Sequence, residues 1–130
     1  SEGSTDIRLV NRTLGRAAAQ ASHFGSGVSA WSLDAVAGAL EEAHMLINAA
    51  SHVDSPNLGG MARDAIVMDM SYRPLMTPLL AAAEAEGLTT VDGLAMLIGQ
   101  ARPSFSALFG CAVPDVDVRS LCLKVLEANG

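Results

Sequence analysis

The chain has 130 residues, a length typical of one domain, and half of them are hydrophobic, which is enough to build a core. Its net charge of −6 argues against a general nucleic-acid binder, because such proteins usually present a basic face. No run of about eighteen apolar residues predicts a membrane span, and the first six residues lack the basic-then-apolar pattern of a signal peptide. We therefore expect a cytoplasmic protein.

The two cysteines, Cys111 and Cys122, are not in CxxC spacing, and no histidine pair at ligand spacing accompanies them. This pattern favours two reduced thiols over a disulfide, and it predicts no metal site.

The first third of the chain alternates short β-branched runs with alanine-rich stretches, which is typical of βαβ units around a parallel sheet. Strands are predicted over residues 7–10, 28–31 and 45–48. A helix is predicted over residues 14–24. A second is predicted over residues 33–42, with the Ser32 hydroxyl as its N-cap.

The middle of the chain has the clearest start and stop signals for a helix. A fourth strand is predicted over residues 65–69, followed by a helix with Thr77 as its N-cap, Pro78 in its first position and Gly87 just beyond its end. A fifth strand is predicted over residues 89–91.

The last third of the chain is predicted to be helical. Asp92 is a good N-cap for a helix that we expect Pro103 to end near Ala101, with a second short helix over residues 104–109. A terminal amphipathic helix is predicted because Val118, Leu121, Cys122, Val125 and Leu126 recur at helical spacing. The fold class is therefore α/β, a Rossmann-like parallel sheet with helices on both faces.

A pair of arginines marks the point where the first strand meets the first helix. Arg12 and Arg16 are four residues apart, so both guanidinium groups can converge on one phosphate beside the helix N-terminus. No carboxylate lies at this strand end, where one would favour NAD by binding the ribose 2′-hydroxyl. The pattern favours a 2′-phosphate and hence NADP, although two arginines near a helix start are more often solvated surface residues.

Four blocks in order make the chain similar to the C-terminal half of shikimate dehydrogenases. They are Asn11-Arg-Thr13 with Arg16; Ile47-Asn-Ala49; Asp69-Met-Ser-Tyr-Arg-Pro74 with Thr77-Pro-Leu-Leu80; and Asp92-Gly93 with Met96-Leu97 and Gln100-Ala101. The resemblance runs from about residue 7 to residue 110. It implies one NADP-binding domain over residues 1–130.

The resemblance also implies roles for individual residues. The block of Asn11, Arg12, Thr13 and Arg16 would bind the 2′-phosphate of NADP. Met70, Gly93 and Met96 would approach the nicotinamide, and Tyr72 and Gln100 would line the pocket for shikimate or 3-dehydroshikimate. Without the resemblance, Tyr72, Met96 and Gln100 would be read as ordinary surface or core residues.

The chain departs from the family at three places. The family's first strand and Gly-rich phosphate loop have no counterpart in the six residues before Ile7, so we expect a fragment with a gap in its sheet. The substrate domain and its Lys–Asp proton relay have no counterpart either, so no catalytic residue is assigned in this chain. After Asn48 the family's usual continuation is replaced by Ala49-Ala-Ser-His-Val53, where Ser51 could substitute for the family's hydroxyl toward the cofactor.

The resemblance implies NADP-dependent reduction of 3-dehydroshikimate to shikimate by the parent protein, with the isolated chain inactive. Two alternatives stay open: a quinate/shikimate dehydrogenase-like paralogue, and a non-catalytic Rossmann-like remnant that acts as a binding or assembly module. A small-molecule substrate is expected, with no nucleic-acid or membrane partner. A homo-oligomer could form through an exposed sheet edge.

Overall fold

A computed structural model of the chain describes residues 3–50 and 54–128. In chain order its elements are β1 (Ile7–Asn11), α1 (Leu14–Phe24), β2 (Val28–Ser32), a 3₁₀ turn (Leu33–Ala35), α2 (Val36–Leu40), β3 (Met45–Asn48), β4 (Ile66–Asp69), α3 (Pro78–Ala85), β5 (Thr89–Val91), α4 (Gly93–Phe109) and α5 (Val118–Ala128). The predicted α/β fold is confirmed. None of the helices in the described part of the chain is long and apolar enough to cross a membrane.

The five strands form two separate parallel sheets. One pairs β1 with β2, from Ile7 opposite Val28 to Asn11 opposite Ser32. The other has the order β3-β4-β5, with Met45 opposite Ile66 and Ile66 opposite Thr89. Among the described residues no strand of one sheet is paired with a strand of the other, so the expected gap is present.

The core lies mainly between the three-stranded sheet and α3, which contacts both β4 and β5. Burial of small and branched apolar side chains drives this packing, as expected for parallel strands covered by helices. Leu80 and Val67 are the largest fully buried side chains. The cluster consists of Leu40, Leu58, Met61, Ala65, Val67, Leu79, Leu80 and Ala83.

One carboxylate is buried inside this apolar core. Asp69, at the end of β4, is only 2% exposed. Its oxygens accept hydrogen bonds from the Asn48 side chain at 3.1 Å, the Ser71 main chain at 2.9 Å and the Thr77 hydroxyl at 2.9 Å. Thr77 also caps α3 as predicted, since its Oγ1 accepts from the Leu80 N–H at 3.3 Å. The carboxylate therefore joins the ends of β3 and β4 to the start of α3.

The helix predicted over residues 33–42, with Ser32 as its N-cap, was wrong in both its cap and its length. Ser32 makes no side-chain capping bond. The helix predicted over residues 33–42 is instead a 3₁₀ turn followed by a short α2, which ends at Leu40. It stops there because the Glu42 N–H donates to the carbonyl of Gly60 at 2.8 Å, and Glu42 itself adopts a left-handed conformation with φ of 56°. A tertiary contact thus replaces the next helical turn.

The break predicted at Pro103 does not occur. Instead α4 runs as one helix from Gly93 to Phe109. A proline removes one main-chain donor and its ring crowds the carbonyl four residues earlier, here that of Gly99, and α4 accommodates both. Close by, the Ser104 hydroxyl donates to the carbonyl of Gln100 at 3.0 Å and supplies a side-chain hydrogen bond inside the interrupted turn.

The predicted terminal helix is present as α5, but none of its side chains is buried. Of the predicted apolar stripe, Val118, Cys122 and Leu126 are half-buried, whereas Leu121 and Val125 are more than half exposed. An ion pair between Arg119 of α5 and Asp92 at the start of α4 helps to hold α5 in place.

Arg8 links the two-stranded sheet to the segment that leads into β3. From β1 its Nη1 donates to the carbonyls of Ala39 at 3.1 Å and Glu41 at 2.7 Å, at the C-terminal end of α2. Its Nε and Nη2 bind the Asp6 carboxylate at 3.0 and 2.7 Å. A cation is well placed at a helix C-terminus, where carbonyls have no helical partner.

We expect Arg8→Ala to lower the free energy of unfolding by about 1–2 kcal/mol, since it removes charge-assisted bonds that are partly exposed to solvent. Urea unfolding followed by circular dichroism measures this loss. Arg63→Ala is the matched control, because Arg63 is exposed and makes no hydrogen bond or ion pair within the described residues. Equal stability of the two variants would contradict the role given to Arg8.

Stability should also depend on pH through Asp69. Burial by itself would raise the pKa of its carboxyl group, but the hydrogen bonds from Ser71, Asn48 and Thr77 together lower that pKa below the ordinary value of 3.8. A lowered pKa in the folded state contributes stability that is present above pH 3.8 and is lost as the pH falls through the folded pKa.

We therefore expect the stability difference between the wild type and Asp69→Asn to be constant from neutral pH down to about pH 5, and to shrink below about pH 4. Urea titrations at several pH values measure it. Asp64→Asn, an exposed carboxylate before the same strand, provides the control. A difference that grew on acidification would contradict the assignment.

Candidate functional site

The first group of predicted site residues lies where β1 ends and α1 begins. Asn11 is the last residue of β1, and its Oδ1 accepts from the Thr13 N–H at 2.9 Å, which turns the chain into the helix. Thr13 is the N-cap residue, but its hydroxyl makes no capping bond, and the first turn of α1 contains no acidic side chain. The positive end of the helix dipole is therefore not neutralised locally.

Both arginines of this group are exposed and have no partner in the described part of the chain. Arg12 precedes the cap and Arg16 follows one turn later; neither guanidinium group takes part in a hydrogen bond or ion pair among residues 3–50 and 54–128. Two available guanidinium groups beside free helical N–H donors are suited to a dianion such as a phosphate monoester. We name Asn11, Arg12, Thr13 and Arg16 the anion cradle.

The second group lies where β4 ends and α4 begins. The Gly93 N–H donates to the carbonyl of Ser71 at 3.2 Å, which brings the start of α4 against the segment that carries Met70 and Tyr72. A methyl group at Gly93 would collide with the main-chain carbonyls of Met70 and Ser71. Glycine is therefore required at this position by the close approach of two main chains.

The start of α4 is also fixed by Asp92. Its Oδ1 accepts from the Ala95 N–H at 2.8 Å, which confirms the predicted N-cap. Both of its oxygens also bind the Arg119 guanidinium of α5, at 3.1 and 2.5 Å. Hydrogen bonds from Arg119 and the Ala95 main chain outweigh burial and lower the pKa of Asp92, so the carboxylate stays ionised at neutral pH.

The remaining residues of this group present their side chains at or near the surface. Met70 is 39% and Tyr72 46% exposed, Met96 is half-buried, and Gln100 is exposed on α4. Tyr72 lines a cavity of about 320 Å³, whose other walls include Leu75 and the α5 residues Leu123 and Leu126. Gln100 is not among the residues that line it.

The structure brings Met70, Tyr72 and Gly93 together, whereas the anion cradle lies on the other sheet. Both groups follow the carboxyl ends of parallel strands, the usual place for ligands in open α/β sheets. Ser51, predicted as a further cofactor contact, lies outside the described residues. No group of three or more His, Cys, Asp or Glu side chains in the described part of the chain could hold a metal ion, and Cys111 and Cys122 are free thiols.

Sequence reasoning left three structural residues of this region without a role. Asp69 is assigned no role from the sequence, and the sequence predicts neither its bond to Asn48 nor the contact of Arg119 with Asp92. The position of Asp69 at the end of an apolar run was the available signal, but its partners come from separate elements. Only the folded chain shows them.

Comparison with known proteins gives a consistent result. No model of a protein family matches the chain. The shikimate dehydrogenase (NADP(+)) of Azorhizobium caulinodans is 45% identical over 136 aligned positions, which cover 98% of this chain and 48% of that protein. The chain thus spans about half the length of the curated relatives it matches.

Two solved structures share the fold. A shikimate 5-dehydrogenase from Thermus thermophilus, in complex with NADP(H) and shikimate, superposes with a TM-score of 0.69 at 28% identity, covering 87% of this chain and 43% of that one. A quinate dehydrogenase from Corynebacterium glutamicum, in complex with NAD, gives a TM-score of 0.70 at 26% identity, covering 84% and 43%. Over nearly its whole length, the chain is therefore similar to about half of each of these shikimate dehydrogenases (NADP(+)).

Proposed function

We propose that the chain is the cofactor-binding half of an NADP-dependent shikimate dehydrogenase, a cytoplasmic enzyme that reduces 3-dehydroshikimate to shikimate. The observation that carries the proposal is the anion cradle, whose two arginines have no partner among the described residues. The shared identity with shikimate dehydrogenases (NADP(+)) over nearly the whole chain supports the same reading. We assign the domain to residues 1–130 and place it in the C-terminal half of the complete protein.

The anion cradle fits the 2′-phosphate that distinguishes NADP from NAD. Arg12 and Arg16 supply charge and several donors each, while the N-terminus of α1 adds N–H groups and a partial positive charge. A carboxylate at this position would instead repel the phosphate and bind a ribose hydroxyl. Asn11 holds the turn that presents Thr13, so it acts through the main chain.

The second group fits the nicotinamide and the ring acid. When bound, the nicotinamide ring of NADPH supplies the hydride that reduces the ring ketone. Gly93 lets the start of α4 pack directly against the main chain of Met70 and Ser71, while Met70 and Met96 offer apolar contact. Tyr72 and Gln100 offer a hydroxyl and an amide for the hydroxyl groups of the ring acid.

These residues orient the reactants but move no proton in our proposal. The alcohol product requires one proton besides the hydride, and we assign its donor to the part of the complete enzyme outside this chain. We propose that the isolated chain has no turnover. The open edges of the two sheets could pair with a second copy.

A quinate dehydrogenase-like paralogue is the second candidate. The solved quinate dehydrogenase with a TM-score of 0.70 favours it, as does the unusual segment after Asn48. That neighbour is in complex with NAD, however, whereas Arg12 and Arg16, which have no side-chain partner in the described part of this chain, favour a 2′-phosphate. Steady-state rates with NADPH or NADH, in the reduction of 3-dehydroshikimate and of 3-dehydroquinate, distinguish the two enzymes. Absence of turnover and of NADPH binding would support a non-catalytic module.

We expect Arg12→Ala in the complete enzyme to lower the ratio of kcat/KM for NADPH to kcat/KM for NADH by about tenfold to a hundredfold. The loss of one charge-assisted hydrogen bond costs about 1.5–3 kcal/mol, and about 1.4 kcal/mol corresponds to a factor of ten. Steady-state kinetics with both cofactors measures the ratio. Arg63→Ala removes an exposed arginine outside the cradle and should leave the ratio unchanged. An unchanged ratio in Arg12→Ala would contradict the proposed cradle.

We expect Gly93→Ala to reduce kcat/KM for 3-dehydroshikimate by about fivefold to a hundredfold, because a methyl group must displace the main chain at Met70 and Ser71 and overpacking costs about 1–3 kcal/mol. The preference for NADPH over NADH should persist, since the cradle lies on the other sheet. Gly99→Ala is the control within the same helix, because a methyl group there meets no neighbouring atom within 4 Å. Full activity of Gly93→Ala would refute the close-approach argument.

A further inference from the structure

We propose that Asp69 is a positioning residue, whose buried carboxylate holds the main chain between Met70 and Tyr72 in the geometry that the ring-acid pocket requires. The inference rests on the proposed function. It goes beyond that function because Asp69 is inaccessible, at 2% exposure, and is not one of the residues proposed to touch the cofactor or the substrate.

The first support is the direction of the hydrogen bonds around the carboxylate. Thr77 Oγ1 accepts from the Leu80 N–H, and its own proton is directed to Asp69 Oδ2. Asn48 donates its amide to the same oxygen, and the Ser71 N–H donates to Oδ1. All three partners of Asp69 are donors, so the site requires an acceptor at both oxygens, which only an ionised carboxylate provides.

The second support is the way the Ser71 main chain is held. Its N–H is bound by Asp69 and its carbonyl by the Gly93 N–H at 3.2 Å. Ser71 lies between Met70 and Tyr72, both of which are partly exposed. A displacement of the carboxylate therefore moves the main chain that carries Met70 and Tyr72. It also changes the distance from that main chain to Gly93.

A simple turn or cap would not need this arrangement. An aspartate that closes a turn uses one oxygen to bind a main-chain N–H two residues on, usually at the surface. Asp69 makes that bond and also binds side chains from the end of β3 and from the N-cap of α3. The network therefore sets the relative positions of three elements at the edge of the sheet where the proposed pocket lies.

The test uses Asp69→Asn in the complete enzyme, with Asp64→Asn as the matched control. The new amide must direct a donor toward the Thr77 hydroxyl and the Asn48 amide, so one bond reverses and another is lost. We expect kcat/KM for 3-dehydroshikimate to fall at least about tenfold, the effect of one charge-assisted bond. The ratio of kcat/KM with NADPH to kcat/KM with NADH should stay unchanged, because the anion cradle is on the other sheet.

A second pair of variants keeps the test decisive if Asp69→Asn folds poorly. Thr77→Ser keeps the hydroxyl that donates to Asp69 and should retain activity, whereas Thr77→Val removes it and should lose several-fold in kcat/KM. All assays are run at least 15 °C below the measured Tm, a margin chosen so that unfolding contributes on the order of a few percent or less.

Amide hydrogen exchange at Ser71 and Gly93 provides a readout that does not depend on the reaction. We expect exchange at both amides to quicken about tenfold in Asp69→Asn relative to Asp64→Asn. A wild-type enzyme that does not reduce 3-dehydroshikimate would refute the proposed function alone. Faster exchange with unchanged kinetics would overturn the positioning role, and so would unchanged exchange. A fall in activity no larger than the fall in the fraction of folded enzyme would also overturn it.

Discussion

The geometry of the candidate site depends on how closely the start of α4 approaches the turn after β4. The two main chains meet at a hydrogen bond from Gly93 to Ser71, with no space for a side chain between them. Such contact is stable only if both partners are fixed independently. The Asp69 carboxylate fixes the turn from inside the core, and Asp92 fixes the start of α4 by capping it and binding Arg119. Two acidic residues therefore fix the contact between α4 and the turn after β4.

The strands form two separate sheets, so contacts other than strand pairing must hold the two parts together. Strand pairing does not cross from β1 to β3 among the described residues, so apolar packing and Arg8 must connect the parts. Arg8 reaches the end of α2 with a side chain that is partly shielded from water, where its hydrogen bonds count for more than an exposed ion pair. The anion cradle lies on the two-stranded sheet, and the contact between Gly93 and Ser71 lies beside the three-stranded sheet. Different interactions therefore hold the two groups in place.

The sequence was most informative where local rules decide the structure. Thr77 with Pro78, and Asp92 before Gly93, predicted the starts of α3 and α4 correctly, because capping depends on residues within one turn. It was least informative where a distant group intervenes. The end of α2 is set by Gly60, and the three partners of Asp69 come from separate elements, so no local pattern contains them. Arg12 and Arg16 were predicted from their spacing, whereas the other site residues came from a family resemblance, and the close approach at Gly93 gives one of these a physical reason.

The allocation of basic side chains explains how an acidic chain can present an anion site. The chain has only eight lysine and arginine residues against fourteen acidic ones. Arg8 and Arg119 are engaged with Asp6 and Asp92 in structural ion pairs, and their charge is neutralised within the chain. Arg12 and Arg16 have no such partner within residues 3–50 and 54–128, and they lie where the dipole of α1 adds to their charge. The net charge of −6 gives no general attraction for a phosphate, so the attraction at this helix start comes from the local pair of arginines and the helix dipole. Local arrangement, rather than net charge, therefore determines where a dinucleotide with an extra phosphate can bind.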